Sequence, residues 1–292
     1  MIDIGVASDA APVLALDIGA TKAEVALVDA EGALTRRERI DWRVAPGDLV
    51  DPLVVMVEGV ARDSGASRLG VGCAGPMTKA GETVSPLNLP AWRDFALRAT
   101  LRDRLGLDVF VDGDARALAL AEGVFGSARG DRSFLSMVVS SGVGGGLVLD
   151  GRLVDGATGN AGHVGHLTVV PDGRECACGS RGCLEAEASG MAIEAVSGRP
   201  PSEADVTTRQ RVATLVGRAV GSLSAVLDFT RCYVAGSVAL GFGSEFFSVA
   251  TQSAREVARI SYAVDIEVAP SGLGADGPLL GAALVAWRGE AA

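Results

Sequence analysis

The residues with the clearest capacity for chemistry are one histidine and three cysteines in a glycine-rich segment. His166 is followed by Cys176, Cys178 and Cys183. One imidazole and three thiolates are a usual ligand set for tetrahedral zinc, and a closed set of four protein ligands is typical of a structural site. The alternative is a loop with free buried cysteines. The sequence favours zinc, because one of the chain's 2 histidines accompanies the cysteine cluster.

Two glycine-bearing turns have the composition of phosphate-binding loops. The first follows an apolar strand, and its backbone N–H groups and the Thr21 hydroxyl could face a phosphate, while Asp17 could hold magnesium through water. The second joins two predicted strands and lacks the ending of a P-loop. Each turn alone is equally typical of a hairpin, but together they favour a nucleotide clamp. The turn residues assigned to nucleotide binding are Asp17, Gly19, Thr21, Lys22, Ser141, Gly142, Gly144 and Gly145.

A carboxylate at a strand-to-helix junction is the third candidate. Asp114 opens a predicted helix directly after a strand that ends near Asp112. An aspartate at this position is a good helix N-cap. Its alternative role is that of a general base, which needs a carboxylate held at a fixed place beside the substrate.

The elements that must position these residues alternate between strands and helices. A meander of short apolar strands followed by helices occurs twice along the chain, which predicts two α/β lobes. The predicted lobes are residues 12–113 with 276–292, and residues 114–275. Residues Glu185–Val196 have the spacing of one helix, and Gly151–Gly182 reads as a loop. The last helix, Gly277–Trp287, is expected to pack back on the first lobe.

Composition narrows the class of protein. The net charge of -10 opposes non-specific binding to nucleic acid, which needs a basic surface. The first residues carry no basic leader segment, and no uninterrupted apolar run is long enough to span a membrane. The 5 cysteines are an odd number, which argues against a disulfide framework. We therefore expect a cytoplasmic protein without a nucleic-acid or membrane partner.

The motifs, taken in order, resemble the ROK family of sugar kinases and repressors within the actin and hexokinase-like superfamily. The most specific stretch runs from Gly142 to Glu185 and includes the glycine run, Ala161–His166 and the cysteine motif. The resemblance implies an α/β, two-lobed actin-like (ribonuclease H-like) ATPase fold with a zinc-binding loop. It also implies an ATP-dependent kinase for the primary, 6-position hydroxyl of a hexose, using magnesium and a structural zinc ion. Family members are often homodimers, so a homodimer is expected.

The resemblance also implies a role for individual residues. Asp114 matches the catalytic base, and Thr21 and Gly144 match the two phosphate turns. His166 matches a residue that binds zinc and touches the sugar, and Glu185 a carboxylate that accepts hydrogen bonds from hydroxyls near the anomeric carbon. Gly236 matches the glycine turn that meets adenosine. The remaining substrate-side positions are Gly75, Asn88, Asp112, Gly113 and His163.

Four positions depart from the family pattern, and one of them, Arg116, brings a charge to a normally neutral position. The family's Glu-Asn-Asp-Ala-Asn is here Asp112-Gly113-Asp114-Ala115-Arg116, so Gly113 lacks a carboxamide that holds ring hydroxyls near the reacting arm. His163 replaces a glutamate that accepts hydrogen bonds from the ring, and histidine offers a donor and an acceptor instead. Either these changes alter the substrate, or they are drift. An altered substrate would be a modified hexose, an aminohexose such as kanosamine, or a C7 cyclitol of the valiolone type, rather than glucose.

Two further classes compete with a kinase. A ROK repressor carries a winged-helix domain before the kinase-like part, whereas about twelve residues precede the first predicted strand here. A non-catalytic sugar-binding protein would not need the base or the phosphate turns. Asp114 and both turns are present, so the sequence favours an active kinase.

Overall fold

The structure is a computed structural model that describes residues 10–19, 21–41, 49–87 and 89–289. Contacts divide the chain into two compact units. The first unit contains the described residues up to Phe125, the segment Asp155–Ala161 and the described residues from Ala275 onwards. The second unit contains Gly126–Val154 and Gly162–Gly274. The helix that begins at Asp114 belongs to the first unit, whereas the sequence analysis began the second lobe with it.

The first unit is built on a mixed sheet with the strand order β3-β2-β1-β4-β5. Its strands in the described residues are β1 (Val13–Ile18), β2 (Lys22–Val28), β3 (Leu34–Asp41), β4 (Arg68–Cys73) and β5 (Asp108–Gly113). The first three form an antiparallel meander, and β4 and β5 run parallel to β1. The central strand β1 is almost wholly apolar and is buried along its length. The edge strand β3 carries charged residues of both signs, which keep this exposed edge hydrated and disfavour its pairing with another strand.

The second unit repeats this arrangement. Its strands in the described residues are β6 (Phe134–Val139), β7 (Val143–Leu149), β8 (Arg152–Leu153), β9 (Arg231–Ala235) and β10 (Glu267–Pro270). They lie in the order β10-β9-β6-β7-β8, which is the order of the first sheet read from its other end. Again three strands form an antiparallel meander and two run parallel to its first strand. The repeat predicted from the sequence is therefore confirmed.

Helices cover these sheets. They are α1 (Val50–Ala61), α2 (Leu97–Leu105), α3 (Asp114–Val124), α4 (Leu184–Ala188), α5 (Gly190–Ser197), α6 (Val206–Leu227), α7 (Ser237–Gly241), α8 (Ser244–Val257) and α9 (Gly277–Arg288). The single helix expected over Glu185–Val196 is wrong, because Ser189 adopts an extended backbone and its Oγ accepts a hydrogen bond from the Ala192 amide at 3.1 Å. Serine in this role ends α4 and caps α5. No helix of the described residues is both long and apolar enough to cross a bilayer.

The last helix, α9, packs against α3, β1 and β4, as the sequence predicts. The approach to β4 is close because Gly70 has no side chain. A Cβ at Gly70 would lie 1.8 Å from the carbonyl oxygen of Ala282 and 2.8 Å from the amide nitrogen of Ala286. Backbone atoms of a buried helix cannot move aside without disturbing the sheet that positions the first unit's site.

Gly70→Ala is therefore expected to lower the free energy of unfolding by about 3 kcal/mol, the upper range for overpacking a close-packed core. Urea unfolding followed by circular dichroism measures this change. Gly241→Ala is the matched control, because no atom lies within 4 Å of the Cβ that it would add in α7. Equal stability of the two variants would contradict the close packing of α9 on β4.

Candidate active site

Two carboxylates come together where the parallel strands of the first sheet end. Asp17 in β1, Gly72 in β4 and Asp112 in β5 are aligned across neighbouring strands. Asp114 starts α3 two positions after Asp112. A Cβ at Gly72 would lie 3.6 Å from Asp17 Oδ1 and 3.9 Å from Asp114 Cβ, so the two aspartates flank this glycine. The carboxyl ends of strands are where open α/β sheets bind ligands.

The electrostatics of this pair favour a cation. Asp17 is only 9% exposed. Burial, and then the nearby Asp114 carboxylate, raise the pKa of Asp17 to about 7, although Lys22 acts to lower it. Two neighbouring carboxylates repel each other when both are ionised, and a bound cation would offset this repulsion. Oxygen ligands of this kind are the ones that magnesium prefers, so the donor set fits the ion predicted from the sequence.

The raised pKa predicts a pH dependence of stability in magnesium-free buffer. Above the ordinary pKa of an aspartate and below about 7, folded Asp17 holds a proton that the unfolded chain has released. Stability from this group is therefore lost as the pH rises through that window. Relative to Asp17→Asn, the wild type should lose about 2–3 kcal/mol of unfolding free energy between about pH 5 and about pH 8. Urea unfolding at the two pH values measures the difference. Parallel pH profiles of the two proteins would contradict the pKa shift.

The first predicted phosphate turn is a tight connection between β1 and β2. The Gly19 amide donates a hydrogen bond to the Lys22 carbonyl oxygen at 2.9 Å, and Thr21 lies between them. Ala20 is outside the described residues. The Lys22 ammonium lies 3.1 Å from Glu24 Oε1. Burial acts to raise the pKa of Glu24, but hydrogen bonds from Arg37 and Lys22 outweigh it and hold the pKa low. The contact of Lys22 with nucleotide stays a prediction.

The β5–α3 junction is held by an ionic contact that the sequence analysis missed. The Arg116 side chain is buried, and its Nε donates to Asp112 Oδ1 at 2.6 Å. The same Asp112 oxygen accepts a hydrogen bond from the Gly113 amide at 2.7 Å. Asp114 therefore lies in the sequence between Asp112 and Arg116, which hold each other in place. The other substrate-side residues of this unit are Gly75, which follows β4, and Asn88, which lies outside the described residues.

In the second unit, the glycine-rich turn is shorter than predicted. It is confined to 140–142, because β7 begins at Val143 and contains Gly144 and Gly145. Glu185 in α4 accepts a hydrogen bond from the Val143 amide at 2.9 Å. A Cβ at Gly142 would lie 2.6 Å from the same Glu185 oxygen. Glu185, which the family resemblance assigns to sugar binding, therefore also supports the predicted phosphate turn.

Two further features place the turn. Ser141 accepts a hydrogen bond from the Met191 amide at 3.3 Å, which ties the turn to α5. Gly236, at the end of β9, has a φ of 101°, and a Cβ there would lie 2.3 Å from the Val139 carbonyl oxygen. The following Ser237 has its Oγ 3.1 Å from Ser140 Oγ. The predicted adenosine and phosphate turns are thus neighbours within this unit.

The segment with both histidines lies directly on β7. A Cβ at Gly165 would be 2.1 Å from the Val143 carbonyl oxygen, and one at Gly145 would be 2.8 Å from a methyl of Val164. Glycine at these positions therefore serves close packing. The rings of His163 and His166 are stacked, with centroids 6.0 Å apart.

The predicted zinc ligands come together. The four ligand atoms of His166, Cys176, Cys178 and Cys183 all lie within 4.8 Å of one another. His166 Nδ1 is 3.6 Å from Cys176 Sγ, and Cys178 Sγ is 3.7 Å from Cys183 Sγ. A tetrahedral zinc ion with sulfur at about 2.3 Å separates its ligand atoms by about 3.5–3.8 Å. The cluster therefore fits zinc. Burial raises the pKa of the Cys183 thiol to about 12, and a bound cation would favour its thiolate.

A buried carboxylate anchors the cysteine loop, and the sequence analysis did not single it out. Glu187 in α4 is 2% exposed and accepts a hydrogen bond from the Arg174 amide at 2.7 Å. The Arg211 guanidinium lies 2.5 Å from its other oxygen. The signal in the sequence was the spacing of Glu187, which shares the buried face of α4 with Leu184 and Ala188.

Comparisons with known proteins agree with this geometry. The ROK family profile matches residues 13–288. A glucokinase of Streptomyces coelicolor is 35% identical over 180 residues, which are 62% of this chain and 57% of that enzyme, so the chain matches little more than half of that relative. An N-acetylmannosamine kinase of Citrobacter koseri is 34% identical over 248 residues, covering 79% of this chain and 84% of that enzyme.

A solved structure extends the likeness to the fold. The ROK family glucokinase of Streptomyces griseus, determined in complex with glucose and AMPPNP, superposes with a TM-score of 0.85 at 28% identity, covering 95% of this chain and 100% of that one. The fold class predicted from the sequence is therefore confirmed. Because the family profile spans nearly the whole chain and the two sheets repeat one strand order, the protein belongs to the ROK family.

Proposed function

We propose that this ROK protein is an ATP-dependent kinase that phosphorylates the primary hydroxyl of a hexose or an aminohexose. The observation that carries the proposal is the placement of Asp114 beside Asp17 at the carboxyl edge of the first sheet. A base next to a cation-binding carboxylate is what transfer of a phosphoryl group to a hydroxyl requires. The glucokinase and N-acetylmannosamine kinase relatives support the same reaction.

Asp114 orients the attacking hydroxyl and accepts its proton. Its Oδ1 also accepts a hydrogen bond from the Ala115 amide at 2.7 Å, which fixes the carboxylate at the first turn of α3. A hydroxyl is a weak nucleophile without such a base. Positioning and electrostatic stabilisation supply most of the catalysis in phosphoryl transfer, so a rigid β5–α3 junction contributes directly to the rate.

The family resemblance assigns the binding of ATP phosphates to backbone amides of the turn after β1, and it assigns the same role to the turn at residues 140–142. Magnesium, when bound with ATP, compensates charge on the transferring phosphoryl group. Asp17 would hold this ion through water, and the absence of a side chain at Gly72 keeps the space beside it open. Glu185 maintains the second turn through its hydrogen bond to the Val143 amide. Zinc at the cysteine cluster would fix the orientation of His166 toward the sugar.

Two features of the chain support a modified hexose rather than glucose alone. Gly113 offers no side-chain partner to the ring, and His163 offers a donor where the family has a carboxylate. The same features support the second candidate, a kinase for a C7 cyclitol of the valiolone type with transfer to the 7-position hydroxyl. The homodimer and the cytoplasmic location stay predictions.

An assay that couples ADP release to NADH oxidation tests the proposal. The panel contains glucose, mannose, N-acetylmannosamine, kanosamine and a valiolone-type cyclitol. We expect ADP release that depends on at least one hexose or aminohexose. Activity with the cyclitol alone would select the second candidate. If a protein that binds ATP and contains zinc released no ADP with any of these compounds, the chain would be a non-catalytic sugar-binding protein instead.

A further inference from the structure

The Arg116 side chain lies across Gly113. A Cβ at Gly113 would be 3.2 Å from Arg116 Cδ and 3.6 Å from its Cγ. The backbone does not explain the glycine, because Gly113 has a φ of -60° and a ψ of 134°, which any residue adopts. The arginine stem would therefore have to shift by a few tenths of an ångström to admit a side chain at position 113. The two positions are sterically coupled.

Arg116 cannot easily move away from Gly113. It is 5% exposed, and besides Asp112 its guanidinium contacts Asp155 Oδ1 at 2.6 Å. It also donates to the Ala161 carbonyl oxygen at 3.4 Å. Burial acts to lower the pKa of Arg116, but Asp112 and Asp155 outweigh it and raise the pKa. A buried arginine with two carboxylate partners is held in one conformation.

A second arginine completes the cluster. Arg288, at the end of α9, lies 4.0 Å from Asp112 Oδ2 and 3.8 Å from Asp155 Oδ2. Two arginines thus balance two aspartates, all within the first unit. The cluster joins the strand before Asp114, the first turn of α3 and the segment Asp155–Ala161. That segment continues along the chain into Gly162 and His163.

We propose that Gly113 and Arg116 form a coupled pair that sets substrate specificity, with Arg116 acting as a positioning residue for Asp114. This inference rests on the proposed kinase function. Because position 113 is a glycine packed against the arginine stem, it offers no side-chain hydrogen-bonding group to the ring hydroxyl that the family resemblance places next to the reacting arm. A site that does not pair a hydroxyl loses little when that hydroxyl is missing. The site is therefore predicted to accept hexoses whose 4-position hydroxyl is absent, inverted or replaced.

The test is a double-substitution cycle with Gly113→Asn, Arg116→Asn and both changes together. Each single change should lower kcat at least about 10-fold, because the first shifts Arg116 and the second removes the guanidinium that lies 2.6 Å from both Asp112 and Asp155. The double variant should lose no more kcat than Arg116→Asn alone, because the crowding that the first change causes is absent without the arginine stem. Each single change should also lower Tm by about 5 °C or more, and the double variant by less than their sum. Arg102→Asn, which removes an exposed arginine in α2, is the control.

The specificity readout is the ratio of kcat/KM for the best hexose of the panel to that for its 4-deoxy analogue. We expect a ratio below about 10 in the wild type and a rise of at least about 10-fold in the double variant, mostly through KM for the unmodified hexose. A purely structural role for the pair would leave this ratio unchanged. Additive losses of Tm, or an unchanged ratio, would overturn the inference while leaving the kinase proposal intact. Absence of any sugar-dependent activity in the wild type would overturn the kinase proposal, and the Tm cycle alone would then decide whether the two positions are coupled.

Discussion

Asp114→Asn is expected to reduce kcat by about 10²–10⁴-fold, the contribution typical of a general base. The carboxamide cannot accept the proton of the attacking hydroxyl. Its oxygen can still accept the hydrogen bond from the Ala115 amide, so the start of α3 should remain in place. We therefore expect Tm and the Kd for ATP to change little. Steady-state kinetics, thermal unfolding and ATP titration measure the three quantities.

Asp108→Asn is the matched control for this substitution. Asp108 begins β5, the strand that ends at the catalytic junction, and its side chain is exposed. The same change of chemical group at the other end of the strand should leave kcat unchanged. Near-normal turnover of the Asp114 variant would remove this residue from the role of base. A large loss of Tm instead would show that the carboxylate is mainly a helix cap.

Loss of a zinc ligand is the second change with a large expected effect. The wild type, purified without chelator, should contain about one zinc ion per chain. Cys183→Ser should contain almost none, because Cys183 is fully buried and a serine hydroxyl replaces the soft thiolate ligand that zinc prefers. Structural zinc contributes directly to the free energy of folding, so we expect Tm to fall by about 10 °C or more. Metal analysis by mass spectrometry and thermal unfolding measure both effects.

Cys232→Ala is the control for the zinc prediction. Cys232 is buried in β9 and does not belong to the ligand cluster. This variant should keep its zinc even if removal of the sulfur lowers Tm. A wild-type protein without zinc would contradict the ligand set. Retention of zinc by the Cys183 variant would show that this cysteine is not a ligand.

Local chemistry was the part of the site that the sequence predicted best. The cysteines and His166 are close along the chain, and their side-chain chemistry alone limits the metal ions that they can bind. The strand meanders were also predictable, because the apolar runs are short and bounded by turn residues. The helix break at Ser189 was missed because the apolar spacing continues across it, and only the serine hydroxyl's contact with the Ala192 amide shows the cap.

Contacts between distant segments could not be predicted. Arg116 meets Asp155 and Arg288, which lie far along the chain, and no local pattern links them. The packing of the Arg116 stem against Gly113 could not be predicted either, and the sequence showed only that Gly113 lacks the family's carboxamide. The role of Gly145 could not be predicted from its residue type. A glycine that lets Val164 approach β7 has the same sequence signal as one that faces a phosphate.

The position of the phosphate in the product is the sharpest test of phosphoryl transfer to a primary hydroxyl. The protein is incubated with ATP, magnesium and the best sugar of the panel, and the product is examined by two-dimensional ³¹P–¹H NMR. We predict a phosphorus resonance coupled to the two protons of the exocyclic CH₂ group, because Asp114 activates a primary hydroxyl. Coupling to a ring proton, or the absence of any phosphorylated product, would contradict it.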